Sequence, residues 1–326
     1  MAKRLDYLDK AKGLLIILVV IGHIWQSGPV FNVIYAFHMP AFFVISGILL
    51  QHTRSCEKPF GSFLKSKLYS IGIPFIFIEV LGVLTDLIRH GITLNWKGYL
   101  YNTLSFHFND PNLWFLMDLF LIEILFYFLI KLFRQRWLLL LSVVVLYFVS
   151  RFLPTGNEYI NTLRSALYYA LFFSLGFCGS RCFLRFNAPV CAVSAAVVFL
   201  VGLLLGKSDG HTLSLKGMAF IASGLCGAYA IIQAGKLRFF PFLDQALEKA
   251  GMNTITIYGT HHILYTAIGV LLGITDFSST PLVPGLIMLL GVAILEVPII
   301  YAINRWAPWL AGKHRRIRPR ENQAAQ

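Results

Sequence analysis

The chain has 326 residues, of which 57% are hydrophobic and only 13% are charged. Soluble domains carry about 25% charged residues, so this composition excludes an ordinary soluble domain and indicates an integral membrane protein. A net charge of +13 would suggest a nucleic-acid partner in a soluble protein, but here we expect the charge to face membrane lipid and cytosolic anions, with no nucleic acid bound.

The first informative stretch is residues 10–50, which contains two apolar runs separated by a short turn at residues 27–29. No A-x-A cleavage site follows the first run, so we expect it to stay as a transmembrane helix. Lys12 and His23 lie eleven residues apart, which places them on one helix face about 16 Å apart along the axis. An ionisable side chain inside a membrane helix is costly, and His23 is therefore a candidate functional residue.

Further along the chain, apolar runs of membrane-spanning length predict an all-α membrane protein with about ten transmembrane helices. Most of the 28 Lys and Arg residues fall on one side of this arrangement, which predicts cytosolic N- and C-termini. Residues 1–312 are expected to form one membrane domain and residues 313–326 a basic cytosolic tail. The predicted spans are 13–26, 33–50, 71–89, 113–133, 137–153, 160–180, 188–206, 214–234, 253–273 and 282–304.

Two segments between the predicted spans carry polar or aromatic residues. Residues 59–70 are too polar to span and predict a short amphipathic helix on the cytosolic face, with Lys65 and Lys67 available either to an anion or to lipid. The segment 90–112 is rich in aromatic residues, which is compatible with an interfacial belt or with a lid over a polar acceptor.

Several polar residues fall at membrane depth in the predicted spans. His261 and His262 lie at a depth similar to that of His23, so the three imidazoles could converge if their helices pack together. Glu123 and Asp118 lie on the fourth predicted span. A carboxylate beside an imidazole fixes its tautomer and raises its basicity, an arrangement suited to removing a proton from an alcohol.

Other kinds of site have weaker support. The five cysteines are odd in number and complete no zinc-ligand set, so we expect small buried hydrophobic residues and no metal. Neither a G-x-S-x-G nucleophile motif nor a phosphate-binding P-loop occurs.

Four places in the chain carry a family resemblance. They are the basic residue, ten residues and His from Lys12 to His23, the FHMPAFFVISGILL segment at 37–50, the basic segment FLKSKLYSIGIP, and LWFLMDLFLIEILFY at 113–127. With them the chain resembles the membrane-bound acyltransferase family 3, within it the fucose 4-O-acetylase-like branch. It departs from many members at Leu119, where they have Glu, and in having lysines where the basic element has arginines.

The resemblance implies transfer of an acyl group, usually acetyl from cytosolic acetyl-CoA, to a hydroxyl of a sugar or cell-envelope glycan at the bacterial inner membrane. His23 would be the general base, or would carry the acyl group in a two-step reaction, with Glu123 or Asp118 orienting it. The residues expected to attract the CoA phosphates are Lys12, Lys65 and Lys67, and those expected to contact the acceptor are His38, Trp114, His261 and His262.

A proton-coupled transporter or flippase is the alternative, since a relay through buried histidines and carboxylates would serve it too. The sequence shows no internal repeat and no matching pair of broken helices, and both absences favour the enzyme.

Overall fold

A computed structural model describes residues 4–91, 95–206, 214–274 and 276–313. Over these residues the protein is all-helical, without a β-strand. The α-helices are α1 (Asp6–Ile24), α2 (Gly28–Tyr35), α3 (His38–Thr53), α4 (Phe60–Lys67), α5 (Ile73–His90), α6 (Trp96–Leu104), α7 (Trp114–Leu132), α8 (Arg136–Arg151), α9 (Glu158–Cys178), α10 (Ser180–Leu184), α11 (Ala188–Leu205), α12 (Leu215–Ala234), α13 (Pro241–Met252), α14 (Thr254–Leu271) and α15 (Leu282–Trp306).

Each predicted span corresponds to an observed helix, which confirms the all-helical prediction. Five helical segments are long and apolar enough to cross a membrane, as expected of a multi-pass membrane protein: 28–53, 60–90, 188–205, 215–234 and 282–306. The other helices at predicted spans contain more polar residues or, like α8 with 16 residues, are shorter. The number of spans and the orientation of the termini stay predictions.

The structure also contains helices that hydrophobicity does not reveal. Helices α2, α6, α10 and α13 are short, and α6 lies within the aromatic segment 90–112. The amphipathic helix predicted at 59–70 is α4, but it continues through a π-helical turn at Leu68–Gly72 directly into α5. It is therefore the first part of a longer helix.

Helix α1 lies at the centre of the fold, packed against α13, α12, α14, α2 and α3. Its contact with α13 is a close backbone approach, because a Cβ atom on Gly13 would lie 2.0 Å from the Leu247 carbonyl oxygen. A Cβ atom on Gly251 would likewise lie 1.7 Å from the carbonyl oxygen of Asp9. Small residues at these positions let the two helices pack without intervening side chains.

Helices α3 and α9 make a second close contact through Gly47 and Gly176. A Cβ atom on either would approach a backbone carbonyl oxygen of the other helix to 2.1 Å. The sequence FFVISGILL thus positions α3 by packing, and Phe43 and Phe173 are fully buried in the same core.

Candidate active site

His23 is half-buried in the last turn of α1. The helix begins at Asp6 and ends at Ile24, earlier at both ends than the predicted span 13–26, and His23 therefore lies near a helix end. Its ring centroid lies 5.2 Å from that of His261 and 6.3 Å from that of Tyr265, both on α14, and 6.5 Å from that of Tyr35 on α2. Two of the histidines that the sequence predicts to converge are therefore neighbours.

Backbone carbonyl groups fix the tautomers of two other histidines. Nδ1 of His38 donates to the Ile34 carbonyl oxygen at 2.9 Å, and Nδ1 of His261 donates to that of Tyr258 at 2.8 Å. A carbonyl oxygen only accepts, so Nδ1 carries the proton and the neutral ring keeps its lone pair on Nε2. Among the residues that the structure describes, none forms a hydrogen bond with the buried Nε2 atom of His261, and this atom can accept a proton or a hydroxyl hydrogen bond.

His262, the other predicted histidine on α14, pairs with a carboxylate. Its Nδ1 atom lies 3.0 Å from Oδ2 of Asp110, and only 6% and 1% of the two side chains are exposed. The other Asp110 oxygen accepts from the backbone N–H of Asn112 at 2.8 Å, and the Tyr258 hydroxyl donates to the Asn112 carbonyl group. Asp110 thus orients His262, in the way that the sequence predicts for Glu123 or Asp118 toward His23.

The loop that carries Asp110 is held by Glu79, a buried residue of α5. The Glu79 carboxylate accepts hydrogen bonds from the backbone N–H and side-chain amide of Asn109, from the Thr103 hydroxyl and from the backbone N–H of Asp110. Gly82 lies one turn further along α5, where a Cβ atom would be 2.4 Å from the Asp110 nitrogen. Residues 103–110 of the segment predicted as an interfacial belt or a lid are therefore held against α5, and Asp110 is placed beside His262.

The predicted carboxylates on α7 have other partners. Asp118 is fully buried and accepts from the Ser165 hydroxyl at 2.6 Å. Both oxygens of Glu123 lie 2.9 Å from Nζ of Lys67. Trp114 stacks on Tyr169, with ring centroids 5.3 Å apart. Neither carboxylate contacts His23 through these hydrogen bonds, and the catalytic roles of Asp118 and Glu123 stay predictions.

A basic region lies at the other end of α1. Lys12 Nζ is 2.8 Å from one oxygen of Asp9, and Arg4 Nε is 2.6 Å from the other. Lys65 is exposed on α4. Lys313, predicted as the first residue of the basic tail, packs back onto the membrane domain, and the rest of that tail lies outside the described residues.

A small apolar cavity lies between the basic region and the histidines. It is lined by Ile16 and Val19 of α1, by Ile255 and Tyr258 of α14, and by Phe42 and Phe115. Helix α1 runs from Lys12 to His23 and α14 runs from its N-terminal turn to His261, so the two helices are parallel across this cavity.

Sequence reasoning missed two of these groups, Asp110 and Lys313. Asp110 lies in the aromatic segment 90–112. The only feature of the sequence that could have indicated its role is its position just before a predicted span. Lys313 was one of several basic residues in an apparent tail. In the described part of the chain, no group of His, Cys, Asp and Glu side chains could hold a metal ion.

Comparison with known proteins gives a consistent result. The acyltransferase 3 model, described as an acyltransferase domain, matches residues 5–304. Nodulation protein NolL of Sinorhizobium fredii (strain NBRC 101917 / NGR234) is 31% identical over 187 residues, which cover 52% of this chain and 47% of NolL. The matched region thus spans about half of that relative. No solved structure matches.

Proposed function

Because the chain belongs to the acyltransferase 3 family, we propose that it transfers an acyl group, acetyl in the simplest case, from cytosolic acyl-CoA to a hydroxyl of a sugar or cell-envelope glycan. The proposal places the protein in a bacterial inner membrane with its basic region toward the cytosol, in agreement with the distribution of Lys and Arg in the sequence.

One observation carries this proposal: a basic region and a histidine cluster lie at opposite ends of two parallel helices, with an apolar cavity between them. From Lys12 to His23 the rise is about 16 Å, a length that the pantetheine arm of CoA can span. Phosphates held at the basic region would therefore place the thioester near His23 and His261. The arm itself is mostly uncharged, so it can lie against the apolar side chains between the two ends of the helices.

The histidine cluster has the groups that acyl transfer needs. His23 takes the proton of the acceptor hydroxyl, whose oxygen attacks the thioester carbonyl carbon. As the carbon–sulfur bond breaks, the imidazolium returns the proton to the sulfur and free CoA leaves. His261 offers an unpartnered Nε2 atom beside this centre. His262 is oriented by Asp110, which lies in the loop between α6 and α7. We place the acceptor next to this loop.

The test is binding of acetyl-CoA to the purified full chain in nanodiscs, together with transfer of radioactive acetyl groups to a membrane extract of the expressing cells. We expect micromolar binding and acetyl incorporation that depends on the protein. A chain that binds no acyl-CoA refutes the proposal. Uptake of a polar substrate into vesicles without acetyl-CoA would support the transporter instead.

A further inference from the structure

Lys313 is a half-buried cation, and within the described residues its hydrogen bonds are all to neutral groups. Its Nζ atom lies 2.5 Å from Oδ1 of Asn253 and 2.9 Å from Oδ1 of Asn304. The Tyr69 hydroxyl donates to its backbone carbonyl group at 3.2 Å, and this fixes the segment that follows α15. Among the residues that the structure describes, no carboxylate lies within salt-bridge distance of Lys313. The side chain is thus positioned but not neutralised.

The surrounding charge is also positive. Burial, together with the nearby positive charges of Lys12 and Arg4, lowers the pKa of Lys313 to about 8. Lys12 and Arg4 share a single buried carboxylate, that of Asp9. Arg4 also lies 3.9 Å from the exposed carboxylate of Asp6. Three cations therefore face one buried anion. Such an excess is costly in a partly desolvated site unless an anion from outside completes it.

Asn253, which accepts a hydrogen bond from Lys313, directly precedes α14. Asn253 occupies the N-cap position, but its side-chain oxygen accepts from Lys313 and Asn304 and makes no capping hydrogen bond. The positive end of the helix dipole thus adds to the same region. Thr254 and Ile255, the next two residues, line the small apolar cavity between α1 and α14.

We propose that Lys313, held by Asn253 and Asn304 and supported by Lys12, is a binding site for a phosphate group of the acyl-CoA donor. This inference rests on the proposed function, since it names the group that holds the donor at the cytosolic end. It extends the predicted donor site to a residue beyond the last long helix. Asn253 and Asn304 are positioning residues in this account, because they act through the lysine.

The experiment measures CoA binding by isothermal titration calorimetry, with the full chain in phosphatidylcholine nanodiscs. Lys313→Gln removes the charge, and Asn253→Asp keeps the lysine but neutralises it with a new carboxylate. Lys249→Gln is the matched control, because Lys249 is an exposed lysine one turn before Asn253. Thermal unfolding of each variant shows whether the protein still folds.

We expect both site variants to bind CoA about tenfold more weakly, equivalent to about 1.4 kcal/mol, and the control to bind like the wild type. Dephospho-CoA, which lacks the 3′-phosphate, identifies the group: the effect of Lys313→Gln disappears with this ligand if the lysine holds the 3′-phosphate and persists if it holds the diphosphate. Wild-type affinity in both folded site variants overturns the inference, while a wild-type chain that binds no CoA overturns the proposed function as well.

A phosphate from a lipid headgroup is the other source with the same chemistry. In that case Lys313→Gln leaves CoA affinity unchanged and lowers the amount of phosphatidylglycerol that copurifies with the protein, which overturns the assignment to the donor. The pH dependence gives an independent check. A lysine with a pKa of about 8 is charged below that pH, so wild-type CoA affinity should fall between pH 7 and pH 9 and should fall less in Lys313→Gln.

Discussion

The two ends of α1 differ in their electrostatic surroundings. At the basic region, cations are held by neutral amides and one shared carboxylate, and positive charge is left over for a ligand. At the histidine cluster, neutral imidazoles are fixed by backbone carbonyl groups, and the one carboxylate in contact, Asp110, is nearly inaccessible to solvent. The first arrangement suits holding an anion, and the second suits moving a proton. We therefore predict that the donor anion binds at the basic region and that proton transfer takes place at the histidine cluster.

The largest expected effect is at the histidine end. His23→Ala should lower acetyl transfer by about 10²–10⁴-fold, the usual contribution of a general base, while acetyl-CoA affinity stays unchanged. Transfer to the membrane extract and calorimetric binding measure the two quantities separately. His90→Ala, at an exposed histidine on α5, is the control. A folded His23→Ala protein with normal transfer would remove His23 from the mechanism.

Lys67 differs from Lys313 because its charge is neutralised by a buried carboxylate, that of Glu123. Lys67→Met leaves the buried Glu123 without its cation and should cost about 3–5 kcal/mol of stability. Adding Glu123→Leu should recover most of that loss. Lys65→Met, at an exposed lysine on the same helix, should change stability by less than about 0.5 kcal/mol. Equal melting of the Lys67 and Lys65 variants would show that the ion pair has no structural role.

Burial of the Asp110–His262 pair can be tested against an exposed pair of the same type. Asp110→Asn should lower acetyl transfer by about 10²-fold, the lower end of the contribution of a general acid–base group, because the orienting carboxylate is lost, with little change in acetyl-CoA affinity. Asp86 and His90 form an exposed pair with a 2.9 Å contact. Asp86→Asn should leave transfer near the wild-type rate, because solvent screens that pair. Matching losses in both variants would argue against a specific role for Asp110.

The smallest expected effect concerns the packing of α13 against α1 at the basic region. Gly251→Ala places a methyl group against the Asp9 carbonyl oxygen and should cost about 1–3 kcal/mol as α13 moves away from α1. CoA affinity should fall too, because Asn253 follows directly after α13. Gly61→Ala, at an α4 position with open space around it, should be neutral or stabilising in the same unfolding assay. A Gly251→Ala protein as stable as wild type would contradict this packing account.

The positions of the long helices, and Lys12 and His23 as candidate residues on α1, could be predicted from local sequence. Long apolar runs predicted the main helices to within a few residues at most ends, because hydrophobicity and length are local properties. The spacing from Lys12 to His23, together with the segment 37–50, indicated the family that the comparisons confirm. Within the candidate site, the pairing of His23 with His261 could be anticipated only as a possibility, since depth along a helix does not say which helices are neighbours.

Tertiary structure decided the partners of the charged residues. Glu123 faces Lys67 and Asp110 faces His262, contacts between residues far apart in the chain that no periodicity encodes. The place of Lys313 depends on how the segment after α15 folds back onto Asn253. A buried charge is stable only beside an opposite charge or a hydrogen-bonding group, and helix packing decides which such group is near. For this reason composition revealed which residues were unusual, and only the fold showed what each one contacts.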